Sequence, residues 1–204
     1  MSETNPNSRL ETFCDGVFAI ALTLLIIDIK IPSSDKIGST NDLWLALKHI
    51  LPSIFAFILS FIIIFITWVN HHGNLKLVNR TSAAFMFANG FLLLTIVFIP
   101  FPTALMGDYL LTNNSSPAVI LYVSTMAIQA IAWILLTSTT LKDQLAKDEK
   151  SIKTIREGRK YGYFAFTIYT ICAILAFWFP LIIAIITTCI WIFWLIVSIS
   201  FKHE

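Results

Sequence analysis

Uncharged runs long enough to cross a bilayer recur along almost the whole chain, separated by short polar stretches. A membrane-spanning helix needs about 20 mostly apolar residues. One run falls within 44–70, with its core at 50–69; the next covers 82–107 without a single charge; another covers 117–141. Residues 161–201 form one uncharged stretch too long for a single helix. Pro180 stands at its middle and divides it into two spans joined by a tight turn. Residues 13–31 are also long enough, although Asp15 and Asp28 stand near the two ends. The pattern predicts an all-α integral membrane protein of one domain, 1–204, with six spans at about 10–31, 45–70, 82–107, 117–141, 161–179 and 181–201.

Composition agrees and removes other classes. Hydrophobic residues make up 57% of the chain and charged residues 13%, against roughly 25% charged in a soluble domain. A net charge of +2 supplies no phosphate-neutralising face, so no nucleic-acid partner is expected. Only 7 Gly and 7 Pro among 204 residues favour helices over a β-barrel. The polar residues 1–8 have no basic n-region and no small-residue cleavage site follows the apolar run, so no signal peptide is expected.

Lys and Arg set the orientation. Lys142, Lys147, Lys150, Lys153, Arg156, Arg159 and Lys160 lie between spans four and five, Lys76 and Arg80 between spans two and three, and Lys202 after span six. Lys30 and Lys36 alone dissent. Both termini are therefore expected in the cytoplasm, with 113–116 outside.

Chemistry-bearing motifs are scarce. No Walker loop, GxGxxG, GxSxG or HExxH is present, so no enzyme, catalytic residue or cofactor is expected. His71 and His72 are adjacent; on a helix they diverge by about 100° and cannot grip one metal ion. The 3 cysteines, Cys14, Cys172 and Cys189, have no metal-ligand spacing and act as small apolar residues. The potassium-filter signature TVGYG is missing. The basic residues repeating every third position over 147–159 alternate with residues too polar for a span, and read as a solvated cytoplasmic helix.

A charge inside a span is costly and tends to be functional. Asp15 is such a residue, with Arg9 six positions before it. Its candidate partners at the end of span two and beyond are Trp68, Asn70, His71, His72, Asn74 and Arg80. They would form an ion-pair and hydrogen-bond cluster pinning span one to span two, or leave Asp15 as an ion-binding or proton-sensing group. Span one also carries a stripe, Gly16, Ile20, Thr23, Leu24 and Ile27, at helical spacing. In a symmetric bundle this stripe could line a narrow pore, with the Thr23 hydroxyl as its only polar ring.

The run from Arg9 through Phe13, Cys14 and Asp15 into Gly-Val-Phe-Ala-Ile-Ala-Leu-Thr-Leu-Leu resembles the RxxxFSD signature of the transmembrane protein 175 family. Those proteins are potassium-selective channels of endosomes and lysosomes with prokaryotic relatives. The six-span pattern, the Trp68-Val-Asn-His71-His72 ending of span two, Asn89, Pro100 and Pro102 also resemble the family. One position departs: Cys14 stands where the signature has Ser, and a thiol is a weaker hydrogen-bond donor.

The resemblance implies a single-repeat, prokaryotic-type homotetramer in a bacterial cell membrane, with span one of each subunit lining a central pore for potassium, selected modestly over sodium. It implies a hydrophobic constriction at Ile20, Leu24 and Ile27, with Thr23 beside the selective region. Arg9, Phe13 and Asp15, with Trp68, His71 and His72, would tie the pore helix to its neighbours. A secondary transporter, with its discontinuous helices and midplane polar residues, and a non-conducting membrane scaffold are the competing readings.

Overall fold

Apolar runs fold as helices here because each helix satisfies its own backbone hydrogen bonds, the condition for entering a bilayer. The computed structural model describes residues 7–200, with side chains to residue 196. In order, the helices are α1 (Ser8–Leu24), α2 (Thr40–His49), α3 (Leu51–Lys76), α4 (Ala83–Phe98), α5 (Pro100–Tyr109), α6 (Ser115–Lys142), α7 (Glu149–Leu175) and α8 (Pro180–Ser200). Phe201 and Lys202, the expected end of the last span and the basic residue after it, lie outside the described residues. By length and composition, α3, the joined α4–α5 run Ala83–Tyr109, and α6 can cross a membrane.

Helix starts carry local signals. Ser39, Ser82 and Asp148 accept the backbone N–H of Asp42, Phe85 and Ser151 respectively, each satisfying an orphan donor of a first turn. Buried hydroxyls turn back onto their own helices: Thr67 donates to the Ile63 carbonyl, Thr140 to Leu136 and Thr187 to Ile183. Such back-bonding satisfies these hydroxyls within apolar surroundings.

Several boundaries differ from those the hydropathy pattern predicts. The stretch expected as one span over 45–70 is two helices, α2 and α3, broken at Ile50. Pro52 supplies no N–H and its ring opposes the carbonyl four residues earlier, so the helix restarts there. α2 has no buried residue. Span one ends early: the α-helix stops at Leu24, and residues 25–29 continue in tight turns with Ile27 N–H on the Leu24 carbonyl and Ile29 N–H on Ile26. Within 82–107, Pro100 and Pro102 divide α4 from α5. Ile99 stays helical, and its N–H bonds the Ile96 carbonyl at 3.2 Å, the group Pro100 cannot serve. The basic segment after α6 is not a separate helix. From Glu149 it is the first half of α7 and runs unbroken into the apolar part. Lys, Arg and Glu are good helix formers, so the change in polarity marks no change in backbone.

α6 lies at the centre, packed against α4, α5, α7 and α8; α3 packs against α1, α5 and α8. A principal core joins Phe18, Ile63, Ile64, Ile96, Tyr122 and Met126. A second, around Phe85, Leu92, Ala132 and Leu136, sits towards the end of the bundle where α1 begins. There the connections after α3 and α6 meet as an isolated antiparallel bridge, Val78 to Ala146. Asn79 N–H bonds the Leu145 carbonyl and Lys147 N–H bonds Leu77, both at 2.9 Å. The Ser82 hydroxyl donates to the Asp143 carboxylate, and Asn7 Nδ2 donates to the Val78 carbonyl at 2.9 Å. The start of α1 is thus stitched to the connection after α3, which the bridge ties to the one after α6.

Candidate functional site

From Gly16 on, α1 is apolar almost all round, so its two faces are told apart by what they touch. Cys14, Phe18, Ala21 and Leu25, at i, i+4, i+7 and i+11, are all at most 1% exposed. The other face carries Ile20 at 60% exposure, Leu24 at 39% and Ile27 at 70%. Thr23 lies between them, exposed, its hydroxyl turned back onto the Ala19 and Ile20 carbonyls at 3.1 and 2.9 Å. The Gly16–Ile27 stripe is therefore the face of α1 that the rest of the chain leaves uncovered. Ile27 lies just past the helix end, in the turns that follow it.

The buried side of α1 is held by a ladder to α3. The two helices run antiparallel, so residues four apart on one meet residues four apart on the other. Asp15 Oδ1 accepts from Trp68 Nε1 at 2.8 Å. One turn earlier on α1, Glu11 Oε1 lies 2.7 Å from His72 Nδ1. Trp68 and His72 stack, with centroids 6.1 Å apart. A deeper row continues into α4. His71 Nε2 and Asn89 Oδ1 are 2.7 Å apart, and Asn89 Nδ2 donates to Cys14 Sγ at 3.3 Å. Phe18 and Trp133 flank the His71 ring at 5.5 and 6.4 Å.

Asp15, Trp68, His71 and His72 are thus brought together at one seam. Arg9 is exposed and forms no ion pair among the described residues; six positions on a helix put it on a different side from Asp15. Phe13 is 63% exposed, also off the seam. Asn74 and Arg80, candidate partners of Asp15, do not bond it. Glu11 was not singled out from the sequence; its i, i+4 relation to Asp15, matching Trp68 and His72, was the available signal. A further polar cluster joins α3, α5 and α6: Ser60 Oγ lies 2.6 Å from Thr103 Oγ1 and 3.2 Å from the Tyr122 hydroxyl. Among the described residues no three His, Cys, Asp or Glu side chains gather as metal ligands.

The family description "Endosomal/lysosomal potassium channel TMEM175" matches residues 9–100, which hold the whole α1–α3–α4 seam. A potassium channel of Streptomyces collinus is 40% identical over 145 residues, 68% of this chain and 69% of that protein. The chain belongs to the TMEM175 family. A potassium channel of Chamaesiphon minutus is 44% identical over 131 residues, and the matched stretch spans 64% of its length. Among solved structures, a lysosomal potassium-selective channel TMEM175 homologue from Chamaesiphon minutus superposes with a TM-score of 0.85 at 32% identity, covering 96% of this chain and 99% of that one. A variant of the potassium channel MtTMEM175 shares the fold at a TM-score of 0.66 and 17% identity. This TMEM175 chain therefore has a channel-family fold, and the family is one of ion channels rather than enzymes.

Proposed function

We propose that this protein is one subunit of a potassium channel in which α1 lines the pore. The observation that carries the reading is the division of α1 into a buried anchor face and an uncovered apolar stripe, in a family named for potassium channels. An amphiphile's exposed apolar face is ordinary against lipid. Here the same stripe carries Thr23 at its centre, and the ladder to α3 fixes the helix rotation that presents it.

The assembly is a homotetramer, four copies of α1 surrounding a central axis. The six spans are α1, α3, α4–α5, α6, α7 and α8, with both termini in the cytoplasm of a bacterial cell. Rings of Ile20, Leu24 and Ile27 form a constriction that excludes water when narrow. Thr23 contributes the hydroxyl ring of the Gly16–Ile27 stripe. The Asp15–Trp68 and Glu11–His72 pairs anchor the pore helix, with Arg9 and Phe13 completing the anchor from the faces that a neighbouring copy covers.

Potassium sheds its water more cheaply than sodium, so a tight and weakly polar passage favours it. Few oxygens are available to replace the hydration shell, so the preference is modest. The reversal potential of the purified protein in a planar bilayer, under opposed potassium and sodium gradients, tests this. A shift towards the potassium potential is expected. Absence of current steps, or a reversal potential at zero, overturns it.

A further inference from the structure

Behind α3, on the side away from the α1 seam, lies a cavity of about 390 Å³. It fills the gap between α3 and α7, against α6 and α8. Its lining follows α3 from Ile66 to Leu77, about 16 Å of helix. That size suits one small molecule.

The lining sorts by chemistry. Among the described residues, no Asp, Glu, Lys, Arg or His contributes. The rings of Trp133, Trp191, Trp194, Tyr161 and Tyr169 supply flat walls; Trp191 stacks on Tyr169 with centroids 5.9 Å apart, and the Tyr169 hydroxyl is buried without a partner. Gln129 and Trp191 are 5% and 6% exposed, yet Gln129 Nε2 and Trp191 Nε1 have no hydrogen-bond partner. Both are donors. Nearer the end of α3, Asn74 Oδ1 also lacks a partner. Buried donors without acceptors are costly, and each one in a folded protein calls for an explanation.

Two glycines add to the space. Gly73 and Gly158 both line the cavity, and a Cβ at either would touch nothing within 4 Å. Neither glycine is required by a close approach there. Gly162, by contrast, would bring a Cβ to 3.0 Å of Ile134.

These features select a ligand class. Unpartnered donors ask for acceptor oxygens. Flat aromatic walls ask for a planar ring. The absence of charge asks for a neutral molecule. An organic cation would suit the aromatic walls but not the donors, and no carboxylate is there to balance it. A bare alkyl chain would leave the donors unpaired. We propose that the cavity binds a neutral, ring-bearing molecule whose carbonyl oxygens accept from Gln129 Nε2 and Trp191 Nε1. Membrane quinones and soluble aromatic ketones are two sources of that chemistry.

The site is tested by binding, independently of ion conduction. The full chain in lipid nanodiscs is titrated with 2,3-dimethyl-1,4-naphthoquinone, reading tryptophan fluorescence and thermal unfolding. Saturable quenching and a raised unfolding temperature are expected. Gly73→Leu and Gly158→Leu, which fill the space from opposite helices, should each abolish the saturable component. Gln129→Leu removes one donor and should weaken binding about tenfold. A second titration uses the same ring bearing an isoprenoid tail. Tighter binding of the tailed probe points to a membrane source, and equal binding to a soluble one. Linear, non-saturating quenching that is the same in wild type and in a folded filled variant overturns the proposal, leaving a water-filled gap. Equal displacement of the probe by 1-dodecanol overturns the ring assignment. Circular dichroism identifies any variant that has not folded; the second filling variant and Gln129→Leu then decide the question.

Discussion

The indole N–H of Trp68 on α3 is bonded to the carboxylate of Asp15 on α1 at 2.8 Å. This one contact fixes both the height and the rotation of α1 against α3, because the carboxylate reaches only the indole edge. Replacing Trp68 with Phe keeps the ring and deletes the donor. The part-buried carboxylate then loses its partner, at a cost of about 1–3 kcal/mol. Asp15→Asn should cost less, since an amide oxygen still accepts. The unfolding temperature should fall in the order Trp68→Phe below Asp15→Asn below wild type. A double-mutant cycle that shows no coupling would remove the bond from the account.

The uncovered stripe gives a functional prediction. Ile20→Asn places an amide on the exposed face of α1. If this face lines the pore, the amide hydrates the constriction and basal current rises. Each decade of current corresponds to about 1.4 kcal/mol of barrier. Bilayer recordings should show about a tenfold increase or more, with normal assembly by size-exclusion chromatography.

Cys14 is buried on α1, and its sulfur accepts from Asn89 Nδ2 at 3.3 Å. Sulfur is a weak acceptor. Cys14→Ser should therefore hold or raise stability, by up to about 1 kcal/mol. Cys14→Val removes the acceptor and leaves a buried amide donor unpaired, costing about 1–3 kcal/mol. Thermal unfolding of the pair of variants separates packing from hydrogen bonding at one site.

Gly107 on α5 is a close approach to α3. A Cβ there would lie 2.8 Å from Ser53 Cα, a backbone atom that cannot swing aside. Gly107→Ala should force α3 and α5 apart and cost about 1–3 kcal/mol. Gly90 is the control, because its Cβ would meet nothing within 4 Å. Gly90→Ala should gain about 0.5–1 kcal/mol from helix propensity. Opposite shifts in unfolding temperature are expected.

Asp148 caps α7 by accepting the Ser151 N–H at 2.7 Å. The Ser151 bonds, with Lys147 nearby, hold its carboxyl below the ordinary carboxylate value. A depressed pKa in the folded state means that the cap contributes fully above the unfolded value and is lost as pH falls through the folded one. Unfolding temperature should thus decline in acid by this route. Asp148→Asn keeps a capping oxygen and should flatten that part of the acid limb. An unchanged limb would show that other carboxylates account for it.

Much was legible in the chain because bilayer insertion is a one-dimensional problem. A helix needs a sufficient run of apolar residues, and the runs containing α3, α4–α5 and α6 stood out wherever Lys, Arg, Asp and Glu were absent. The break before Pro52 falls inside the stretch expected as one span, and the span expected to begin at 161 begins inside α7, because hydropathy reports where the surroundings change and not where the backbone turns. Glu149–Leu175 is one helix despite its two compositions.

The functional seam divides the same way. Sequence alone determined that Asp15 is an expensive residue in an apolar helix, that Trp68, His71 and His72 end the span opposite, and that a stripe from Gly16 to Ile27 exists. It could not say which face of α1 is buried, since Phe18 and Ile20 are equally apolar and hydrophobicity has no direction when every side carries it. Tertiary packing decided that Phe18 turns inward to the His71 ring and Ile20 outward. It also decided which histidine meets Asn89 and which meets Glu11, and it left the gap between α3 and α7 where Gln129 and Trp191 stand unpaired. Those choices rest on shape and on pairs distant in the chain, and such information exists only once the helices are in contact.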